Sequence, residues 1–347
     1  MGETLAGREP AGPSAAAKPA PPFHRLRVAR VIAETADAHS LVLSVPPALA
    51  TAFGYQPGQY LTVRVPGGGG TVARCYSLSS SPHTDTELKI TVKRVRDGQA
   101  SNWICDHVKP GAELDLAPPA GTFTPASLDD DLLLLAGGSG ITPVMAIIKS
   151  VLAHGRGRLA LVYANRDAGS VIFAEELAAL RERHPDRLTV THWLDHERGA
   201  PRGEDLAPLL RPYADREAFV CGPEPFVVVA RHALERAGVT PERIRVERFN
   251  SVLPATLDAT AEVTLDGQTH RLAWPAGTRL LDVIMSAGLN PPFSCRQGNC
   301  GTCACRLVDG EVELVRNEVL EEEDFAEGYI LACQAVARSD SVAVTYD

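Results

Sequence analysis

Four cysteines carry the strongest chemical signal in the chain. Cys295, Cys300 and Cys303 stand at C-x4-C-x2-C in the stretch CRQGNCGTCACRLVDGE, and Cys333 follows in YILACQ. Two tetrahedral irons bridged by sulfide need two thiolates each, and this spacing with a remote fourth ligand suits a 2Fe–2S cluster. Gly298 and Gly301 lie between the ligands, where the backbone must wrap tightly and turn N–H groups toward sulfur. Four thiolates also hold zinc, but structural zinc sites favour paired C-x2-C knuckles, and this loop has one such pair. Cys75, Cys105 and Cys305 read as small buried residues outside the ligand set.

A cluster of this kind carries one electron at a time, so the rest of the chain should show where electrons come from. RCYSLSS (74–80) is the first clue. An Arg two residues before a Tyr on a strand shares its face. Arg74 can neutralise a flavin phosphate, Tyr76 can pack on the isoalloxazine, and Ser77 can hydrogen-bond its edge. Tyr on a strand is also an ordinary packing residue, so the motif is weak alone. In TVKRVRDGQASNW (91–103), Gly98, Ala100, Ser101 and Asn102 form a turn entering a helix, whose free N–H groups favour a pyrophosphate; Ser101 is equally readable as a plain N-cap. The third clue is GGSGITP (137–143), directly after an apolar strand. Gly138 and Gly140 let the backbone approach a dinucleotide phosphate, Thr142 can reach the flavin–nicotinamide contact, and Pro143 is well tolerated at a helix start. YANRD (163–167) ends the next strand, where an adenosine ribose should lie. CGPEPF (221–226) ends a later one, so that Cys221 and Gly222 would face a nicotinamide, although a C-G-P turn can be a simple strand-to-helix link.

These residues need elements to position them. The chain has 347 residues, 45% of them hydrophobic, which implies two or three domains. Residues 1–22 are rich in Ala, Pro and Gly without the basic start and apolar core of a signal peptide, and are expected to be a disordered tail. Residues 23–127 alternate short β-rich stretches with Gly and Pro turns, predicting an antiparallel β-barrel. Residues 128–248 alternate strands and helices, predicting a doubly wound parallel α/β sheet. A linker at 249–258 leads to a third domain over 259–347, a hairpin and helix before the cysteine loop. The whole is a multidomain α+β protein. The net charge of −9 argues against nucleic acid as partner. From Ala259 onward there are six Arg, no Lys and fourteen acidic residues, so this domain holds nearly all of that charge. EVLEEEDFAEG (318–328) is its candidate docking face, or merely a solvated helix. No run of eighteen apolar residues offers a membrane span. The chain reads as cytoplasmic, with reduced thiols.

Taken in order, these motifs resemble the ferredoxin–NADP⁺ reductase superfamily. The C-terminal segment resembles plant-type ferredoxins, which implies a β-grasp fold there. The order flavin, nicotinamide, ferredoxin is that of the phenylacetyl-CoA epoxygenase reductase group, and the resemblance covers about 24–347. RCYSLSSSPHTD, ASNWICDH, YANRD, VIF and SDSVAVTYD are similar to reductase components that serve Rieske-type oxygenases acting on steroids. The resemblance implies FAD rather than FMN, with Leu78, Thr91, Val92, Lys93 and Phe249 joining the flavin contacts. It implies NADH as donor, held also by Asn165, Arg166, Pro223 and Phe226. Arg166 and Asp167 leave NADPH open, because Arg suits a 2′-phosphate and an acidic residue a ribose diol.

The expected path runs from nicotinamide to flavin to cluster to an external oxygenase, because a flavin accepts two electrons and releases them singly. Tyr76, Ser77, Thr142 and Cys221 stand nearest the chemistry. A di-iron aromatic-pathway oxygenase is the alternative acceptor. A redox-sensing iron–sulfur flavoprotein is the alternative of another class. A self-contained oxygenase is not expected, because the chain offers no spare domain and no Rieske C-x-H pair.

Overall fold

A computed structural model describes residues 23–67, 70–96, 98–249, 258–275, 278–317 and 319–347. The expected tail and nearly all of the expected linker lie outside the described residues, as does Glu318.

The N-terminal part is an antiparallel sheet of β1 (His24–Thr35), β2 (Ala38–Ser44), β3 (Tyr60–Gly67), β4 (Gly70–Ser77), β5 (Leu88–Lys93) and β6 (Glu113–Ala120), with helix α1 (Gln99–His107) inserted before the last strand. Their order is β4-β3-β6-β1-β2-β5. A bridge between Leu78 and Ile90 joins the two edges and closes the sheet into a barrel. The alternation that makes these strands is visible in β1, where Leu26 and Val28 are buried between exposed Arg25 and Arg27. Leu61, Val63, Ile90, Val92 and Leu116 fill the interior.

The second part is a parallel sheet. It contains β7 (Leu132–Gly137), α2 (Ile141–His154), β8 (Leu159–Asn165), α3 (Ala174–Arg183), β9 (Leu188–Leu194), α4 (Asp195–Arg198), α5 (Gly203–Leu210), β10 (Glu217–Gly222), α6 (Glu224–Ala237) and β11 (Ile244–Arg248). Strand order is β11-β10-β7-β8-β9, so the winding reverses between β7 and β10. Such a reversal opens a ligand crevice at the carboxyl ends of the strands. Every residue of β7 and β8 is buried, as expected for strands covered on both faces. Helix α5 was not legible in the sequence; Pro208 interrupts its pattern, and only Leu206 and Leu210 mark its apolar face.

The third part contains β12 (Ala259–Leu265), β13 (Gln268–Trp274), α7 (Leu280–Ser286), β14 (Ala304–Asp309), β15 (Val312–Leu314), α8 (Glu322–Ala326), β16 (Tyr329–Leu331), β17 (Ala335–Ala337) and β18 (Ser341–Thr345). A sheet ordered β13-β12-β18-β14-β16 pairs the first and last strands in parallel. Helix α7 buries Leu281 and Ile284 against it. The acidic stretch forms only the five-residue α8. No helix among the described residues is long and apolar enough to cross a membrane.

The parts meet through specific contacts. Lys149 on α2 is nearly buried and pairs with Asp85 of the barrel at 2.5 Å and Glu176 of α3 at 3.0 Å. Beside it Ser81 and Ser150 share a buried hydrogen bond of 2.8 Å. On the other side α7 packs against β4, and Ala73 of β4 joins the hydrophobic core of the third domain.

Candidate electron-transfer site

Strand β4 borders all three domains. Side chains two apart on a strand share a face, and Ala73, Cys75 and Ser77 form one such row. Ala73 enters the core of the third domain. The Cys75 thiol donates to the backbone oxygen of Cys295 at 3.5 Å, and burial pushes that thiol up to about 12, so it stays protonated. The Ser77 hydroxyl donates to Glu247 Oε2 at 3.2 Å. Arg74 and Tyr76 leave the opposite face. Arg74 curls back so that Nη1 donates to the Ala73 carbonyl at 2.8 Å and to Asp282 of α7 at 3.4 Å. Tyr76 packs against the barrel core.

The remaining expected flavin contacts divide by burial. Leu78 and Val92 lie wholly inside the barrel and offer a ligand only backbone. Thr91 shares buried hydrogen bonds with Ser40 at 2.7 Å and Ser79 at 2.8 Å. Gly98 precedes α1, whose first turn has no side-chain cap, and this leaves its N–H groups for an anion. Ala100 is buried, while Ser101 Oγ accepts from Val95 N–H at 3.3 Å and Asn102 donates to the Val95 carbonyl at 3.1 Å. Ser101 and Asn102 therefore shape the turn. Lys93 points elsewhere: it pairs with Asp37 at 3.8 Å, and its Nζ stands 3.7 Å from where a Cβ on Gly138 would be. It faces the dinucleotide turn of the second domain. Phe249 packs against that domain's core.

At the crevice, a Cβ on Gly140 would sit 2.0 Å from the Cys221 carbonyl, so only glycine lets the turn lie against the end of β10. Thr142 is buried and donates to the Ser139 carbonyl at 2.9 Å, closing the turn in which Pro143 begins α2. Pro223 caps α6, and the Phe226 ring packs over Gly137 and Gly222. Cys221 is fully buried with its sulfur 4.0 Å from Glu247 Oε2. Arg166 pairs with Asp37 at 3.1 Å, and Asp167 accepts from the N–H and hydroxyl of Ser170, both at 2.9 Å. Both are thus engaged within the protein. Asn165 is buried with neither amide atom meeting a hydrogen-bond partner.

Glu247 is a site residue that the sequence did not single out. It is buried between Ser77 and Cys221, and burial pushes its carboxyl up to about 8 against the opposing hydrogen bond from Ser77. The nearest signal was a carboxylate at the end of a short strand. Its neighbour two residues back, Arg245, pairs with Glu217 at the surface, so periodicity hid it. His192 Nδ1, on β9 beside Tyr163, and Asp195 Oδ1, at the start of α4 just after the register partner of Asn165, are likewise buried without partners.

The cysteine loop and Cys333 bring four thiols into one neighbourhood. Cys295, Cys303 and Cys333 are buried, and Cys300 is exposed. N–H groups point at sulfur: Gln297 to Cys295 at 3.3 Å, Cys295 to Cys300 at 3.4 Å, and Cys333 to Cys303 at 3.5 Å. Gly298 and Gly301 adopt φ of +81° and +71°, the left-handed region that glycine enters freely. The Cys300 thiol is held above its ordinary range, first by its hydrogen bond with Cys295 and then by burial. Crowded thiols keep their protons until cationic iron displaces them. The donor set therefore fits a group held by four thiolates.

Comparison with known proteins places this geometry. The chain matches an oxidoreductase FAD-binding domain over 25–124, an oxidoreductase NAD-binding domain over 134–232, and a 2Fe-2S iron-sulfur cluster binding domain over 263–338. The ferredoxin reductase component of 3-ketosteroid-9-alpha-monooxygenase from Mycolicibacterium smegmatis is 52% identical over 340 residues, covering 93% of this chain and 96% of that protein. One polypeptide of the 1,2-phenylacetyl-CoA epoxidase from Escherichia coli is 33% identical over 351 residues, covering 94% of this chain and 98% of that one. Phthalate dioxygenase reductase, a solved modular structure for electron transfer from pyridine nucleotides to [2Fe-2S], shares the fold with a TM-score of 0.71 at 24% identity, over 93% of this chain and 98% of that one. Matched along nearly its whole length by proteins of one architecture, the chain belongs to the family of ferredoxin reductase components that pass electrons from a reduced nicotinamide dinucleotide, through FAD and a 2Fe–2S cluster, to a separate oxygenase.

Proposed function

We propose that this protein takes electrons from NADH and delivers them to the Rieske-type oxygenase of a steroid 9α-hydroxylase, in the cytoplasm. The observation that carries the electron path is the row along β4, where Ser77 touches Glu247 of the dinucleotide domain and Cys75 touches the backbone of Cys295. A flavin on this strand lies between donor and cluster. When bound, FAD converts a two-electron hydride transfer into single-electron steps. The chain's own residues place the partners. Arg74 and the first turn of α1 hold the phosphates, Tyr76 supports the ring system, and Ser77 lines its edge. The Gly138–Gly140 turn, Lys93 and the Cys221–Gly222 end of β10 seat the dinucleotide. Cys295, Cys300, Cys303 and Cys333 hold the cluster.

The steroid acceptor is supported by relatives with about half their residues identical, from Mycolicibacterium smegmatis and Rhodococcus rhodochrous (52% and 48%). NADH over NADPH is supported by the ends of β8 and β9. There an Asp195 oxygen and the Asn165 amide are buried without hydrogen-bond partners, so polar capacity is left for a ribose diol, whereas Arg166 is occupied by Asp37. An acidic group at this place repels a 2′-phosphate. The cytoplasm is supported by the dinucleotide consumed and by cysteines that stand as thiols or cluster ligands.

An anaerobic titration of the purified protein with NADH tests the path. The expected result is flavin bleaching followed by the electron paramagnetic resonance signal of a reduced 2Fe–2S cluster. A bleached flavin with a silent cluster would remove the proposed order. NADPH should be poorer by roughly tenfold or more in kcat/KM, the weight of one mispaired charged group, and Asp195→Asn should narrow that gap. Reconstitution with a ketosteroid oxygenase component, against an epoxidase component as control, decides the acceptor.

A further inference from the structure

The joint between β4 and α7 has a charge arrangement that the electron path does not require. Asp282 on α7 is the acceptor there. Its Oδ1 takes hydrogen bonds from Arg74 Nη1, at 3.4 Å, and from Arg296 Nη2. Arg279, just before α7, is electrostatically coupled to Arg74 as well. Two guanidinium groups therefore share one carboxylate, Arg296 from the cluster domain and Arg74 from the barrel, with Arg279 repelling Arg74 nearby. A guanidinium carries five N–H donors in a rigid plane. Arg74 uses only Nη1, on Ala73 and Asp282, and among the described residues Nε and Nη2 meet no acceptor. Its side chain remains 44% exposed, against 28% for Asp282 and 9% for Arg296. Arg74 is thus held at one edge by the cluster domain and open at the other.

We propose that Asp282 is a positioning residue for the flavin: it fixes Arg74 with its free edge toward the FAD phosphate, so that FAD binding and the seating of the cluster domain on β4 strengthen each other. The proposal rests on the reading of Arg74 as a phosphate ligand. A long side chain otherwise loses rotamer freedom when it takes up a phosphate, and prior fixing removes that cost. Coupling between two events is reciprocal. FAD should therefore hold α7 as α7 helps to hold FAD. Competition would give the opposite sign, since a carboxylate that drew Arg74 away from phosphate would weaken FAD binding.

The test is the FAD dissociation constant of the full chain, freed of FAD and titrated back with its cluster intact. Asp282→Asn should raise that constant about tenfold, the weight of one hydrogen bond to a charged group. Asp282→Glu should recover most of the loss. In an Arg74→Ala background the same Asp282→Asn change should have less than about a twofold effect, because interacting residues are not additive. Unchanged or tighter binding by Asp282→Asn, or additive losses, overturns the proposal. A second measurement needs no variant: hydrogen exchange of the α7 amides in the wild-type chain should slow when FAD is added. Equal exchange with and without FAD overturns the coupling even if Asp282→Asn fails to fold. A wild-type chain that binds no FAD at all would instead defeat the flavin reading itself.

Discussion

Glu247 is the residue on which the site is most sensitive to pH. Burial raises its carboxyl from the ordinary 4.5 to about 8, so the folded protein keeps the proton where the unfolded chain has lost it. The sign follows from linkage. The benefit is complete below about pH 4.5, and stability is lost as pH rises toward about 8, by about 1.4 kcal/mol per unit. Glu247→Gln should flatten the fall in stability of the wild type between about pH 5 and 8, read by denaturant unfolding at each pH; equal slopes would show that the carboxyl is not neutral in the fold. Glu247 stands two residues before Phe249, the position that the family resemblance marks, and nothing local distinguishes it from an ordinary strand-end carboxylate. Only packing against Ser77 and Cys221 reveals it, because neither partner is near it in the chain.

At the scale of elements, the work is done by two strand ends and one strand face. The turn after β7 lies against the end of β10 because position 140 has no Cβ; its φ of −60° is ordinary, so the demand is space rather than conformation. Gly140→Ala should push the turn off β10 and raise the KM for NADH by roughly tenfold while FAD content stays constant. A KM within twofold of wild type would mean that the turn does not carry the dinucleotide. Strand β4 works differently. Alternate residues on one of its faces, Ala73, Cys75 and Ser77, reach the third domain, the cysteine loop and the dinucleotide domain. The alternation of R-x-Y-S was readable in the sequence. The domain that each residue meets was not.

For the whole molecule, the domain order predicts that chemistry can be severed at one joint. Cys300 is the exposed one of the four cysteines proposed to hold the cluster. Cys300→Ser should abolish electron transfer to a one-electron protein acceptor and spare reduction of the flavin by NADH, measured in parallel on one preparation. Equal loss of both, with the fold intact, would argue against separable modules. The long-range charge belongs to this scale too, since nearly all of the net −9 sits in the cluster domain. Transfer to a basic acceptor surface should therefore slow as ionic strength rises.

The sequence alone determined the chemistry and the order of its parts. Cysteine spacing, glycine-rich turns and the change from alternating to continuous apolar strands are local, and local patterns survive in a linear string. They specified the parallel sheet and the four-thiol loop, and the resemblance they carried named the family. Tertiary structure decided the contacts between parts. Arg74 meets Asp282 across 208 positions, Cys75 meets Cys295 across 220, and Ser77 meets Glu247 across 170. No periodicity reports such pairs, because each strand or helix follows its own repeat whatever it packs against. That is why Lys93 turned out to face the dinucleotide turn, why Glu247 stayed hidden, and why the carboxylate that holds Arg74 could be found only once the third domain was seated on the first.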